Sequence, residues 1–156
     1  MAKQANIPER IGRYEVLGPL AAGGMAEILL ARLAGPHGFE RVVVLKRVLP
    51  HLARDDSFVR MFIDEARIVS ELRHPNVVQV MDFGRIEKTY FLAMEYVDGM
   101  TLGQLLRRCD RQGVPLPEHV VGAVMRDILD GLDHAHRVAR GTDGQALRVI
   151  HRDLCP

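Results

Sequence analysis

The stretch Val42-Val43-Val44-Leu45-Lys46 decides the fold assignment, because an apolar run rich in β-branched residues ends in a charge. β-Branched residues favour strands, and we predict a strand from Arg41 to Leu49. Alternate residues of a strand share a face. Lys46 therefore projects from the same apolar surface as Val44 and Val48, and its ammonium group needs an anion nearby.

A carboxylate is available on the helix that follows. Asp55-Asp56-Ser57 is a helix-start signal, and we predict a helix from Ser57 to Arg73 that His74-Pro75 ends. Glu65 lies at helical spacing from the apolar residues of this segment, which are Phe58, Met61, Phe62, Val69 and Leu72. We expect its carboxylate in the middle of the buried stripe, where a charge is costly unless it is paired, and Lys46 can supply the pair. The alternative is that Glu65 lies at the edge of the stripe and reaches water.

Four further strands and two further helices are predicted from the apolar patterns. They are expected over Tyr14–Leu20, Glu27–Arg32, Val77–Phe83 and Thr89–Tyr96 for the strands, and over Leu102–Gln112 and Glu118–Val138 for the helices. A five-stranded antiparallel sheet with one helix against it is the economical packing of the first part. The predicted class is α+β, with a flexible leader (1–10), a sheet-and-helix part (11–97) and a helical part (98–156).

The first predicted hairpin has a tip of small residues, Ala21-Ala22-Gly23-Gly24-Met25-Ala26. Backbone N–H groups can approach anionic oxygens closely only where side chains are small, so the tip suits a cover for phosphate groups. An ordinary flexible hairpin can have the same composition. The tip alone does not choose between these two interpretations.

Near its end the chain carries the tripeptide His151-Arg152-Asp153, which follows the apolar pair Val149-Ile150. Together with the hairpin tip, Lys46 and Glu65, it makes the chain resemble the protein kinase family, and in particular the bacterial (eukaryotic-like) serine/threonine protein kinases. The resemblance covers the N-terminal part of a kinase domain. It implies a kinase N-lobe followed by the first two helices of an incomplete C-lobe, which ends in the catalytic loop.

The resemblance also implies roles for individual residues. Lys46 paired with Glu65 would orient the α- and β-phosphates of ATP, and Asp153 would accept or orient the proton of the substrate hydroxyl during γ-phosphoryl transfer. The Glu95 carbonyl and the Val97 N–H would bind the adenine at the hinge. The other nucleotide contacts are assigned to Leu20, Ala21, Gly23, Gly24, Ile28, Val44 and Met94.

Three features depart from the family pattern. Ala21 and Ala26 stand where two of the three tip glycines are expected, which should stiffen the loop. Cys155 replaces the lysine two residues after Asp153, which removes a γ-phosphate contact. Asp82-Phe83-Gly84 spells the magnesium-binding triplet of kinases but precedes His-Arg-Asp, and we place it in the turn after a strand and assign it no metal.

Cofactor and partner expectations follow from the resemblance and the composition. The partners are ATP and a protein substrate with Ser or Thr; Mg²⁺ is expected only in the intact domain, and the chain alone is expected to be inactive. Lys and Arg total 21 against 20 for Asp and Glu, which gives no electrostatic reason to expect nucleic acid. No apolar run is long enough for a bilayer, and a cytoplasmic location is expected.

A competing interpretation is a non-catalytic module, a truncated or pseudokinase form that binds nucleotide or protein. The apolar face of the predicted helix Glu118–Val138 supports some version of this, because self-association could cover it.

Overall fold

The computed structural model describes residues 8–141, 144–147 and 149. The chain divides into two compact units. Among the described residues, the first unit contains residues 8–70 and 79–96, and the second contains residues 71–78 and those from Val97 onward. A division of the sequence at a single point near residue 97 does not anticipate that residues 71–78 belong to the second unit.

The first unit is built on one six-stranded antiparallel sheet with the order β1-β2-β3-β4-β6-β5. The strands are β1 (Arg10–Ile11), β2 (Tyr14–Ala22), β3 (Ala26–Ala34), β4 (Glu40–Val48), β5 (Val80–Ile86) and β6 (Thr89–Glu95). All five predicted strands are present, and the predicted α+β class is confirmed. Strand β1 is additional: Arg10 pairs with Glu15, and the Glu9 carbonyl accepts a hydrogen bond from the Val16 N–H at 2.8 Å. Glu9 and Arg10 come from the segment expected to be a flexible leader.

Strand β4 contributes to two apolar clusters because its side chains alternate between the faces of the sheet. On one face Val43 and Leu45 are fully buried. Their cluster also contains Ile11, Tyr14, Leu29, Ala31, Phe91 and Ala93. On the other face Val48 packs with Leu92 of β6 and with the helix α1 (Asp56–Ser70). The centre of the valine-rich run is therefore apolar on both sides, which is why the sequence there does not alternate.

The sheet curls so that β2 approaches β5, although the two are far apart in the strand order. The Tyr14 hydroxyl and the Arg13 guanidinium both donate to Asp82 Oδ2, at 2.8 Å and 2.9 Å. Burial raises the pKa of the Tyr14 hydroxyl, and its hydrogen bond to Asp82 adds to the rise. The Asp82-Phe83-Gly84 triplet lies inside β5 and not in a turn after a strand, so that prediction is wrong.

The triplet lies inside β5 because this strand begins and ends later in the sequence than predicted. β5 runs from Val80 to Ile86, where the pattern predicts a strand from Val77 to Phe83. The Val77 N–H is instead bonded to the His74 carbonyl at 3.0 Å, and its side chain packs in the second unit. Contacts outside the sheet therefore remove Val77 from the strand that its β-branched side chain favours.

Helix α1 begins at the predicted acidic residues. Asp55 Oδ1 accepts hydrogen bonds from the N–H groups of Ser57 and Phe58, at 2.9 Å and 3.2 Å, which lack partners within the helix. The Ser57 hydroxyl, followed by these two amides, lowers the pKa of the Asp55 carboxyl. The helix ends at Ser70, before the predicted Arg73, because Leu72 is already buried in the second unit.

The second unit contains α2 (Leu102–Gln112) and α3 (Glu118–Asp133), which continues as a π-helical turn over His134–Val138. Both helices match the predicted ranges. α2 begins with a reciprocal capping box between Thr101 and Gln104 and is followed by Gly113 at φ +64°. The buried cluster of this unit is formed by Leu72, Ala135 and Ala139.

One face of α3 carries the exposed apolar side chains of Val121, Met125 and Leu129. Self-association through this face stays a prediction. In the part of the chain that the structure describes, every helix is too short or too polar to cross a membrane.

Candidate active site

Strands β3, β4 and β6 bring four of the predicted nucleotide contacts onto one face of the sheet. Ile28 pairs with Lys46, and Val44 pairs with Met94. Paired residues share a face, as do residues two apart on one strand. All four therefore lie on the face that packs against α1, opposite the cluster around Leu45.

Lys46 and Glu65 form the ion pair that the sequence predicts. Lys46 Nζ lies 2.7 Å from Glu65 Oε1 and 5.8 Å from the centroid of the Phe62 ring. The Lys46 side chain is 28% exposed and the Glu65 side chain is 49% exposed. An ion pair this exposed contributes only about 0–1 kcal/mol to stability, so stability does not explain its presence. Both charges remain accessible to a third, anionic group.

The expectation that the Glu65 carboxylate lies in the middle of the buried stripe is wrong. The buried residues of α1 are Phe62 and Ala66, one turn apart, and Glu65 lies at the edge of the line they form. Met61, which the pattern also assigns to the stripe, is exposed. The helix contacts the sheet along a narrower line than the apolar pattern indicates, and the alternative with Glu65 reaching water is the one observed.

The hairpin tip between β2 and β3 contains glycines that the fold itself does not require. A Cβ at Gly23 would lie 3.5 Å from the Ala26 carbonyl oxygen, an ordinary contact, and a Cβ at Gly24 would meet nothing within 4 Å. Neither glycine has a positive φ. The small residues of the tip therefore leave room for a group from outside the hairpin. The Gly23 N–H donates to the Ala26 carbonyl at 2.9 Å, so this amide closes the turn.

Two of the predicted nucleotide contacts, Leu20 and Ala21, lie beside the tip. Ala21 pairs with Ile28, and Leu20 is exposed next to it, where β2 carries an extra residue relative to β3. Such a bulge bends a strand and redirects its side chains. The shape of β2 at this point is thus irregular, which the sequence pattern does not indicate.

The predicted hinge residues lie at the end of β6. Met94 is partly buried against the cluster that contains Phe62. The Glu95 N–H donates to the Gln79 carbonyl at 3.0 Å, and Glu95 Oε1 accepts from the Gln79 N–H at 2.7 Å. Glu95 is therefore fixed through both its main chain and its side chain. Val97 is exposed and begins the second of the two segments that form the second unit.

Asp153, the rest of the His151-Arg152-Asp153 tripeptide and Cys155 lie outside the described residues. Over residues 8–141, 144–147 and 149, no three or more His, Cys, Asp or Glu side chains form a group that could hold a metal ion. The described part of the site is thus the Lys46–Glu65 pair, the sheet face around it and the hairpin tip.

A second ion pair, between Glu27 of β3 and Arg47 of β4, was missed by the sequence analysis. The two residues are directly opposite in the register, in the row next to Lys46, and Arg47 Nε contacts Glu27 Oε1. The Glu27 side chain is only 6% exposed and the Arg47 side chain only 13%. The sequence contains a signal for this burial, because Glu27 lies two residues before Leu29 and Arg47 lies two residues after Leu45. Each charged residue therefore shares the face of a buried leucine on its own strand.

The fold and this arrangement of charges are those of a protein kinase, and a protein kinase domain family model matches residues 14–156. The chain belongs to the protein kinase family. The predicted kinase N-lobe with part of a C-lobe is confirmed.

Individual relatives agree with this assignment. The chain is 46% identical over 145 residues to Tyrosine-protein kinase MasK of Myxococcus xanthus, and 33% identical over 145 residues to Serine/threonine-protein kinase PrkC of Bacillus subtilis. These matches cover 93% of this chain but 22% and 20% of those proteins. The solved kinase domain of PknI from Mycobacterium tuberculosis is similar with a TM-score of 0.62 at 32% identity, over 82% of this chain and 50% of that one. The chain thus spans about half of that solved domain and about a fifth of the curated relatives.

Proposed function

We propose that the chain is the ATP-binding part of a serine/threonine protein kinase, which in the intact domain transfers the γ-phosphoryl group of ATP to a Ser or Thr hydroxyl of a protein substrate. The observation that carries the proposal is the accessible Lys46–Glu65 pair on the same sheet face as Ile28, Val44 and Met94. Membership of the protein kinase family supports phosphoryl transfer as the reaction. We assign the activity to the cytoplasm, where ATP is available.

The two halves of the proposed site differ in polarity. Lys46 contacts the α- and β-phosphates, and Glu65 holds its ammonium group in place. Since both side chains reach solvent, a polyanion can displace water from Lys46 without breaking a buried structure. Ile28 and Val44 offer an apolar surface to the adenine, with Leu20, Ala21 and Met94 at its borders.

The other roles rest on the family resemblance. Main-chain groups of Glu95 and Val97 bind the adenine edge, and the tip with Gly23 and Gly24 covers the phosphates. Asp153 orients the substrate hydroxyl. Mg²⁺ in the intact domain neutralises charge on the phosphates, while positioning supplies most of the acceleration.

Serine or threonine is proposed as the acceptor, although one relative is named a tyrosine kinase. PrkC and PknI are named serine/threonine-protein kinases, whereas MasK is named a tyrosine-protein kinase and has the higher identity. Phosphoamino-acid analysis of the autophosphorylated natural full-length protein separates these cases. Phosphoserine or phosphothreonine supports the proposal, and label confined to phosphotyrosine contradicts the assignment of the acceptor.

The kinase activity itself is tested with matched lysine variants of the natural full-length protein. Lys46→Met should lower the rate of phosphoryl transfer from ATP by roughly 10²–10³, because it removes a charge placed to stabilise the transferring phosphates. Lys88→Met is the control, since Lys88 lies in the exposed turn between β5 and β6. Equal rates for the two variants would contradict the role of Lys46. Residues 1–156 alone are expected to show no transfer.

A non-catalytic nucleotide-binding module is the second candidate function. The observation in its favour is the replacement of tip glycines by Ala21 and Ala26, of which Ala26 is buried in the hairpin. The same assay distinguishes the two candidates. ATP binding that depends on Lys46 without any transfer by the full-length protein would favour the module.

A further inference from the structure

The buried pair Glu27–Arg47 has no role in the proposed function as described so far. Glu27 is the most deeply buried charged residue in the part of the chain that the structure describes, and the side chain of its partner Arg47 is 13% exposed. It lies directly after the hairpin tip, and Arg47 lies directly after Lys46. The pair therefore joins the two segments that would hold the phosphates of a nucleotide.

Stability is a poor explanation for this pair. Removing two charges from water is costly, and a pair of well-packed apolar side chains at such a position is often equally stable or more stable. The best-attested use of a buried polar or ionic contact is to select one register among several. The position of Glu27 and Arg47 in the sheet allows such a use.

Lys46 and Arg47 make the register of β4 in the sheet ambiguous. Both are long cations at neighbouring positions of β4, and a shift of one residue in the pairing would exchange their faces. The side chain on the α1 face meets Glu65, whereas the one on the opposite face meets Glu27. A guanidinium is more weakly hydrated than an ammonium and is better suited to a buried ion pair, so Glu27 on the buried face favours the register in which Arg47 meets it and Lys46 faces α1.

Two main-chain contacts extend this restraint to the tip. The Leu49 N–H, at the end of β4, donates to the Met25 carbonyl at 3.4 Å, and the Gly23 N–H donates to the Ala26 carbonyl at 2.9 Å. The first bond attaches the tip to the end of β4 beyond Arg47, and the second closes the tip on itself. Fixing Glu27 to Arg47 fixes the distance between the tip and Lys46.

We infer that Glu27 and Arg47 are positioning residues of the nucleotide site, which set the face of Lys46 and the place of the hairpin tip from the opposite side of the sheet. This inference rests on the proposed function. Neither residue contacts the nucleotide, because both point away from the face that carries Lys46 and Ile28.

The test separates positioning from stability with an apolar double variant of the natural full-length protein, Glu27→Leu with Arg47→Met. It should keep or raise the melting temperature, because no charge is left unpaired. It should lower kcat/KM for ATP by roughly 10–100-fold, with a higher KM, because the tip and Lys46 lose their fixed spacing. The charge-swapped variant, Glu27→Arg with Arg47→Glu, should recover most of this loss, since it restores the pair.

Glu40→Gln is the matched control, since it removes one charge from the exposed contact of Glu40 with Arg32 in the same two strands. It should leave kcat/KM unchanged. A folded apolar double variant with the wild-type kcat/KM would overturn the inference, and so would a folded charge-swapped variant that recovers nothing. If the double variant does not fold, the charge-swapped variant alone decides. Failure of the proposed function looks different, because the wild-type protein would then show no Lys46-dependent use of ATP.

Discussion

Strand β4 carries two ion pairs on successive residues, and they differ in burial rather than in chemistry. The Lys46–Glu65 pair is partly exposed on the α1 face, while the Glu27–Arg47 pair is buried on the opposite face. An exposed pair contributes about 0–1 kcal/mol to the free energy of unfolding. Removing one partner of a buried pair lowers that free energy by about 3–5 kcal/mol. Lys46 can therefore contact a ligand at little cost in stability, whereas the Glu27–Arg47 pair is expected to remain intact.

The largest expected effect on stability comes from breaking the buried pair. Arg47→Met should lower the free energy of unfolding by about 3–5 kcal/mol, because the Glu27 carboxylate stays buried without its partner. Urea denaturation of the full-length protein, followed on the kinase-domain transition, measures this. Arg32→Met is the control, since Arg32 makes exposed pairs with Glu15 and Glu40 and should change the value by less than about 1 kcal/mol. Similar losses for the two variants would remove the distinction between the pairs.

The next largest effect is expected from a substitution that disturbs the packing next to Arg47 without removing a charge. Phe91 is paired with Arg47 on one side and with Gly84 on the other, and a Cβ at Gly84 would lie 2.3 Å from Phe91 Cζ. Gly84→Ala should therefore cost about 1–3 kcal/mol through overpacking. Gly24→Ala is the matched control, because a Cβ there meets nothing within 4 Å, and it should stay within about 0.5 kcal/mol of wild type in the same denaturation experiment. A Gly84→Ala variant as stable as wild type would show that the Phe91 ring moves away from residue 84 more easily than the geometry indicates.

Breaking the exposed pair should change stability less. Glu65→Gln keeps the shape of the side chain and removes the charge near Lys46, and we expect a loss of no more than about 1 kcal/mol, measured by thermal unfolding. Asp64→Asn on the same helix provides the control, since Asp64 is an exposed acid next to Glu65. A loss as large as that of Arg47→Met would mean that Glu65 is structural.

The smallest effect concerns the start of α1, which carries Glu65. Hydrogen bonds from Ser57 and Phe58 lower the pKa of Asp55 from its ordinary value of 3.8. A lowered folded-state pKa gives stability that is present above the unfolded pKa and is lost as the pH falls below it. Asp55→Ala should therefore be less stable than wild type at pH 6, and the difference in melting temperature should shrink toward pH 3. A difference independent of pH would contradict the cap.

The parts that could be predicted from sequence are those that local patterns determine. The lysine strand, α2 with its Thr101 cap and the pairing of Lys46 with Glu65 follow from alternation, capping chemistry and charge. The end of α1 and the start of β5 could not be predicted, because Leu72 and Val77 are drawn into the second unit by contacts far away in the sequence. The exposure of Glu65 was missed for a related reason, since the width of a buried stripe depends on what packs against it.

The Glu27–Arg47 pair is a different case. Both residues follow the alternation of their strands onto the buried face, but the sequence analysis did not use this signal. Charged residues are rarely buried unless they are paired, and that general preference favours an exposed assignment when each strand is considered alone. Only the register of β3 against β4 shows that the two charges meet.

The affinity for ATP, measured by calorimetry on the full-length protein and its Lys46→Met and Lys88→Met variants, tests most directly whether the exposed pair is the nucleotide site. Wild type and Lys88→Met should bind ATP equally, and Lys46→Met should bind at least about tenfold more weakly, which corresponds to about 1.4 kcal/mol. Equal affinity in all three proteins would contradict the assignment of Lys46 and Glu65 to the phosphates.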